Sequence, residues 1–287
     1  MKLATFVYEG VERPGVVIGD RIVPTGDASL LALIQTGPPA LAETRRIVES
    51  ERTSGGYPLG AVSLRPPIPN PLRNVFCVGR NYKLHIEEGA RARGIAEDFP
   101  VVPEFFTKAT HTVCGPGDVV RLPENTQKLD YEVELAFIVG KRGRDIKAQD
   151  AADYILGYMV LNDVTARDLQ RGHGQWFKGK SLDTSCPIGP WIVTSDEFDA
   201  AADHRIWLSV NGEMRQDSLT TDMVFDCAAI LESLSAGLTV EPGDIITTGT
   251  PSGVGLGMNP QVWLHDGDIM EAGIEGIGSI TNTIRSV

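Results

Sequence analysis

Apolar and polar positions along the chain change period several times, and each change marks an element. Residues 3–8, 15–18 and 21–23 are short apolar-rich runs separated by glycine and charged residues, which predicts three strands. Residues 29–35 and 40–51 follow as helical patterns. The stretch Arg65-Pro66-Pro67-Ile68-Pro69-Asn70-Pro71 carries four prolines, which lack an N–H donor and fix φ, so neither a helix nor a central strand fits there. It reads as a linker over 66–73, between a small α+β domain at 1–65 and a larger domain at 74–287.

From residue 74 onward short strands dominate, at 74–78, 131–139, 191–194, 206–210, 244–248 and 269–274, with Gly and Pro turns between them. Helices are fewer, over 85–93, 148–155 and 224–235. Long helices do not alternate with strands, which argues against a doubly wound parallel sheet. The expected class is α+β, built on antiparallel or mixed strands.

Composition narrows the setting. The chain has 287 residues, enough for a sizeable core and one or two domains. Its 26 basic and 38 acidic residues give a net charge of −12, which argues against nucleic acid or an anionic membrane as the main partner. No apolar run reaches the roughly 18 residues of a spanning helix, and the N-terminus does not read as a signal peptide. Cys77, Cys114, Cys186 and Cys227 are widely spaced, without a C-x-x-C pair, as expected of reduced thiols in a cytoplasmic protein.

The chemistry is concentrated in the run from Asp130 to Gly140. It alternates apolar and polar residues through Leu135 and then turns continuously apolar, the pattern of a strand. Residues i and i+2 of a strand share a face, so Glu132 and Glu134 project side by side. Two close carboxylates repel unless a cation or a proton lies between them. Asp163 supplies a third carboxylate, and an all-oxygen set favours Mg²⁺, Mn²⁺ or Ca²⁺ over zinc. The alternatives are a solvated strand face for the glutamates and a helix N-cap for Asp163.

Other segments offer partners. His85 and Glu88, spaced i and i+3, share a helix face, where a carboxylate orients an imidazole and raises its basicity. An incidental histidine on an exposed helix is the competing reading. Residues 90–102 are charged and read as a mobile lid. Lys108 ends a strand and would either meet a substrate carboxylate or be an edge-strand charge. Arg167 and Gln170 are candidate substrate contacts. Lys180 near a metal would stabilise a developing oxyanion, or else it is a solvated lysine. Cys186 has no adjacent histidine and reads as structural. The loop at 249–255 lets backbone amides approach an anion, with Thr250 offering a hydroxyl, but it lacks the Gly-Lys-Ser/Thr ending of a P-loop.

In order, the motifs are G-R-N-Y-x-x-H at 79–85, F-x-K at 106–108, D-Y-E-x-E-L at 130–135 and N-D-x-T-A-R-D-x-Q at 162–170. They continue with G-K-S-x-D-T-x-C-P-x-G-P at 179–190, N-G-E-x-R-Q at 211–216 and E-P-G-D-I-I-x-T-G-T-P-x-G-V-G at 241–255. Together they resemble the fumarylacetoacetate hydrolase family, in its acylpyruvate-hydrolase-like branch with a small N-terminal domain. The resemblance implies a mixed β-roll or β-sandwich catalytic domain, a homodimer, and Mg²⁺ or Mn²⁺ on Glu132, Glu134 and Asp163. It implies that His85 and Glu88 activate water, that Lys180 and Gln170 surround the developing oxyanion, and that Thr250 meets the substrate carboxylate. Tyr82 joins the expected substrate contacts. Longer members carry a fourth carboxylate ligand just before the tyrosine matching Tyr82. Here Arg80-Asn81 stands there, which argues against fumarylacetoacetate itself as the substrate.

The expected activity is hydrolysis of a C–C bond in a 2,4-dioxo acid, such as an acylpyruvate or a dioxo-deoxy sugar acid, releasing pyruvate or a related 2-oxo acid. The alternatives at the same residues are oxaloacetate decarboxylation and isomerisation or tautomerisation of an unsaturated dioxo acid. A non-catalytic keto-acid binder is the reading from another class.

Overall fold

A computed structural model describes residues 1–51 and 56–287. Its frame is a twelve-stranded mixed sheet facing a five-stranded one. Across the larger sheet run Tyr57–Pro58, Arg21–Pro24, Val11–Ile18, Lys2–Tyr8, Cys186–Thr194, Ile155–Asn162, Val133–Val139, Ile245–Thr247, Val75–Gly79 and Glu104–Lys108. Most neighbours are antiparallel, and Ile245–Thr247 joins Val75–Gly79 in parallel. The second sheet runs Glu213–Leu219, Arg205–Val210, Ile269–Ile274, Gly278–Ser286 and Val119–Leu122.

Strand Val133–Val139 sits at the centre and is buried along its whole length, because both of its faces are covered. Val133, Leu135, Phe137 and Val139 point into the core shared with Ile206, Leu208 and Ile280 of the second sheet. Ala136 and Ile138 point the other way, towards Met159, Ile188, Leu33 and Ile34. The period of two that made the strand legible therefore also places Glu134 on the Ala136 face, away from the inter-sheet core.

The strand is shorter than the alternation predicts. Leu129–Asp130 forms a separate ladder with Thr165–Ala166, and the chain breaks at Tyr131 and Glu132. Side chains satisfy the backbone there: Glu132 N donates to Asn162 Oδ1 and Val133 N to Gln216 Oε1, both at 3.0 Å. The helix predicted over 148–155 is a 3₁₀ segment, Ala148–Asp153, because Ile155–Asn162 is claimed by pairing on both edges. The helix predicted from 224 starts at Cys227, where Asp226 caps it by accepting from Ala229 N.

The first strand pairs with Cys186–Thr194 through Lys2 with Val193 and Leu3 with Ile192, so the sheet runs on into residues 1–65. The proline-rich stretch packs closely against it: Ile68 is fully buried, and Thr5 Oγ1 donates to Pro67 O. All four cysteines are free and buried. Burial pushes the Cys186 thiol up to about 12, as expected of an inert structural residue. No helix among the described residues is long and apolar enough to cross a membrane.

Candidate active site

Glu132 stands in the break before Val133, Glu134 lies two residues on in the strand, and the end of Ile155–Asn162 brings up Asp163. One carboxylate oxygen from each of the three lies within 4.8 Å of the others, and all three residues are buried. Cations surround two of them. Arg167 Nη2 donates to Glu132 Oε1 at 2.5 Å, and its Nε donates to Asp130 Oδ2 at 2.9 Å. Lys180 Nζ reaches Glu132 Oε2 at 2.5 Å and Asp163 Oδ2 at 2.7 Å. Lys108 Nζ takes the other oxygen of Asp163 at 2.7 Å.

Glu134 forms no ion pair among the described residues; its Oε2 accepts the Gly249 N–H at 3.0 Å. The charges divide accordingly. Burial alone would raise Glu132, but Arg167 and Lys180 hold it well below the usual carboxylate range. Burial, then Asp163 and Glu132, push Glu134 well above that range. Four buried carboxylates, Asp130, Glu132, Glu134 and Asp163, thus face three buried cations, and the shortfall falls on Glu134. A divalent ion held by Glu132, Glu134 and Asp163 fits both that shortfall and the all-oxygen donor set.

Above the cluster lies a cavity of about 250 Å³. Glu132, Glu134, Arg167 and Lys180 form its floor, and His85, Gln170 and Thr250 its walls. His85 lies in helix Lys83–Arg93, with Nδ1 3.2 Å from Glu88 Oε2. That contact leaves Nε2 as the imidazole atom for proton transfer. Glu88 is held behind the histidine by Gly253 N, which donates to Oε1 at 2.9 Å. Gly257 gives it room, since a Cβ there would lie 2.1 Å from Glu88 Cδ.

Two expected substrate contacts do not line the cavity. Lys108 is fully buried and donates to Asp163 Oδ1, Val164 O and Lys180 O, so its three protons are committed to the scaffold under the cluster. Tyr82 is buried beneath the start of the histidine helix, where its backbone bridges to Met223. Residues 94–100 follow the helix without regular structure and are tied down through Arg80, which donates to Asp98 O and Glu104 Oε1.

Sequence reasoning missed two buried organisers. Asp130 accepts from Gly255 N at 2.7 Å and Leu256 N at 3.1 Å, which fastens the glycine-rich loop to Arg167. Gln216, fully buried, accepts from Val133 N and donates to Thr250 Oγ1 at 2.7 Å and Pro251 O at 2.8 Å. Both stand inside recognised motifs, which was the available signal. Trp176 was also missed; it forms a wall of the cavity and packs edge-on to Phe106 at 5.3 Å.

The comparisons with known proteins agree with this geometry. A family profile described as "Fumarylacetoacetate (FAA) hydrolase C-terminal" matches residues 74–285. The chain belongs to the fumarylacetoacetate hydrolase family. Among family members, it is 44% identical over 264 residues to oxaloacetate tautomerase YisK of Bacillus subtilis, covering 89% of this chain and 86% of the relative. It superposes on fumarylacetoacetate hydrolase from the psychrophile Exiguobacterium antarcticum with a TM-score of 0.86 and 41% identity, covering 100% of both chains. Maleylpyruvate hydrolase from Sphingobium follows at a TM-score of 0.80 and 32% identity, again over 100% of both chains.

Proposed function

We propose that this protein is a divalent-metal-dependent tautomerase of a 2-oxo acid of the oxaloacetate kind, using Mg²⁺ or Mn²⁺. One observation carries the reading. A single small cavity opposes an oriented histidine, His85 held by Glu88, to a buried ammonium, Lys180, beside the acidic cluster. Interconverting an enol and its ketone requires a proton to leave oxygen and one to arrive at the neighbouring carbon; the oriented imidazole can relay it while the ammonium stabilises the enolate between the two transfers.

The residues divide the work. Thr250, whose oxygen already accepts from Gln216, turns its proton to the substrate carboxylate. Lys180 and Gln170 face the C2 oxygen and stabilise the charge that grows there. In the enol-to-keto direction His85 Nε2 takes the enol proton as the enolate forms and returns it to C3, and the reverse direction runs the same relay backwards, while Glu88 stabilises the intervening imidazolium. When bound, the metal supplies Lewis-acid polarisation of the 2-oxo acid head. The relatedness to YisK supports oxaloacetate as the substrate type.

Hydrolysis of a 2,4-dioxo acid is the second reading, since the same His85–Glu88 pair would deprotonate a water, and maleylpyruvate hydrolase shares the fold. One experiment separates them: enol loss from oxaloacetate and pyruvate release from acetylpyruvate and oxaloacetate, each with Mg²⁺, Mn²⁺ or EDTA. Metal-dependent enol loss without pyruvate is the expected result. Metal-dependent cleavage of acetylpyruvate without any effect on the enol would replace this reading by the hydrolase.

A further inference from the structure

The cavity has a second, oppositely charged end. Its floor is acidic, but its lining also includes Arg80 and the exposed Arg93 and Arg171, and among the described residues no carboxylate other than Glu132 and Glu134 lines it. In a chain of net charge −12, three arginines gathered at one mouth are not an average of the surface.

Each arginine comes from a different place. Arg80 precedes the histidine helix in a left-handed conformation, φ +54°, a strained position for a side-chain-bearing residue. Its terminal nitrogens are partly neutralised by Glu104 and Asp98, but its Nε is buried without an acceptor among the described residues. Arg93 ends the same helix and, among the described residues, donates only from Nε, to Gly89 O at 2.8 Å. Arg171 lies in the helix Arg167–Gly172. Neither Arg93 nor Arg171 has a carboxylate of the described residues within ion-pair distance, so the mouth keeps a positive excess. Partial burial, and then Arg80 and Arg171, lower the Arg93 guanidinium against a smaller opposing pull from Glu104, in keeping with neighbouring cations at this mouth.

We propose that Arg80, Arg93 and Arg171 form a second anion subsite, which takes the far carboxylate of a dicarboxylic 2-oxo acid whose 2-oxo head lies over the acidic cluster. The assignment rests on the 2-oxo acid reading of the cavity and adds to it the residues that recognise the second carboxylate. A guanidinium trio matches a carboxylate in charge and donor geometry. An acylpyruvate, whose far end is uncharged, gains nothing from it. The family's fourth-carboxylate position, occupied here by Arg80-Asn81, contributes a cation to this mouth instead.

The test compares two ligands that differ only at the far end, oxaloacetate and 2-oxobutyrate, by calorimetric binding to the Mn²⁺-loaded protein. Wild type is expected to bind oxaloacetate more tightly, and Arg93→Gln with Arg171→Gln to weaken it roughly 10- to 100-fold, the range for lost hydrogen bonds between charged groups. 2-Oxobutyrate binding should hold within about twofold, and added salt should weaken oxaloacetate more than 2-oxobutyrate. Equal affinity of wild type for the two acids, or equal losses for both in the variants, would overturn the subsite. Selective binding of oxaloacetate without any enol turnover would leave the subsite standing and remove the tautomerase reading.

Discussion

Gln216 donates to Thr250 Oγ1 over 2.7 Å, and this bond decides which way the threonine proton points. The amide cannot turn over, because its oxygen accepts from Val133 N and its second proton goes to Pro251 O. The Thr250 oxygen is therefore an acceptor towards the protein and a donor towards the cavity. Gln216→Glu keeps the Val133 acceptor but offers Thr250 an acceptor in place of a donor. The KM for a 2-oxo acid should rise about tenfold with kcat nearly unchanged, a split that general destabilisation would not produce. Gln216→Leu should in addition lower stability by about 1–3 kcal/mol, from buried groups left unpaired.

Gly257 tests the catalytic pair without touching it. Its missing Cβ leaves room for Glu88, whose Oε1 would lie 2.2 Å from that atom. Gly257→Ala must displace the carboxylate from His85 and from Gly253 N. A displacement of about 1 Å is expected to lower kcat roughly 10²-fold, with a changed pH profile and metal affinity intact. An unchanged kcat would mean that Glu88 does not orient the histidine.

Stability should report the uneven charge of the cluster. Burial, with Asp163 and Glu132, raises Glu134, so in the ion-free chain it stabilises the fold while protonated. That contribution is complete below the unfolded value of about 4.3 and is lost as pH rises through the raised folded value. A divalent ion on the ionised carboxylate opposes the loss, and below that pH it must displace a proton. The Tm increase produced by Mn²⁺ is therefore expected to be larger at about pH 8 than at about pH 6. A shift independent of pH, or larger in acid, would contradict the assignment of Glu134 as a ligand.

Lys180 bridges Glu132 and Asp163, and it is buried. Lys180→Met should lower the rate roughly 10²–10³-fold, as for loss of a donor at a developing oxyanion. It should also destabilise the ion-free protein by about 3–5 kcal/mol by leaving buried carboxylates unpaired. Mn²⁺ should recover part of the stability and none of the rate, a contrast read by melting and turnover on one sample.

Much of this was legible in the sequence because it depends on local pattern. Period-two alternation announced the central strand, and the His85–Glu88 spacing announced a pair that does lie 3.2 Å apart. The errors came from contacts that no local pattern encodes. Lys108 sits beside Asp163 across 55 residues and serves the cluster from below, where a strand-ending lysine read as a substrate contact. Gln216 reaches Val133 across 83 residues, and Asp130 reaches Gly255 across 125. Motif order flagged both segments, but only the folded sheets show that these side chains replace backbone partners at the break before Val133.

The most direct test of the central claim is the rate at which enol oxaloacetate disappears, followed by absorbance in the presence of Mn²⁺, for wild type and His85→Ala. Wild type should accelerate ketonisation well above the protein-free rate and lose the effect in EDTA. His85→Ala should fall roughly 10²–10⁴-fold while still binding Mn²⁺, the range for loss of a general acid–base. An enol that decays no faster with wild type than without protein, or equally fast with His85→Ala, would contradict the account.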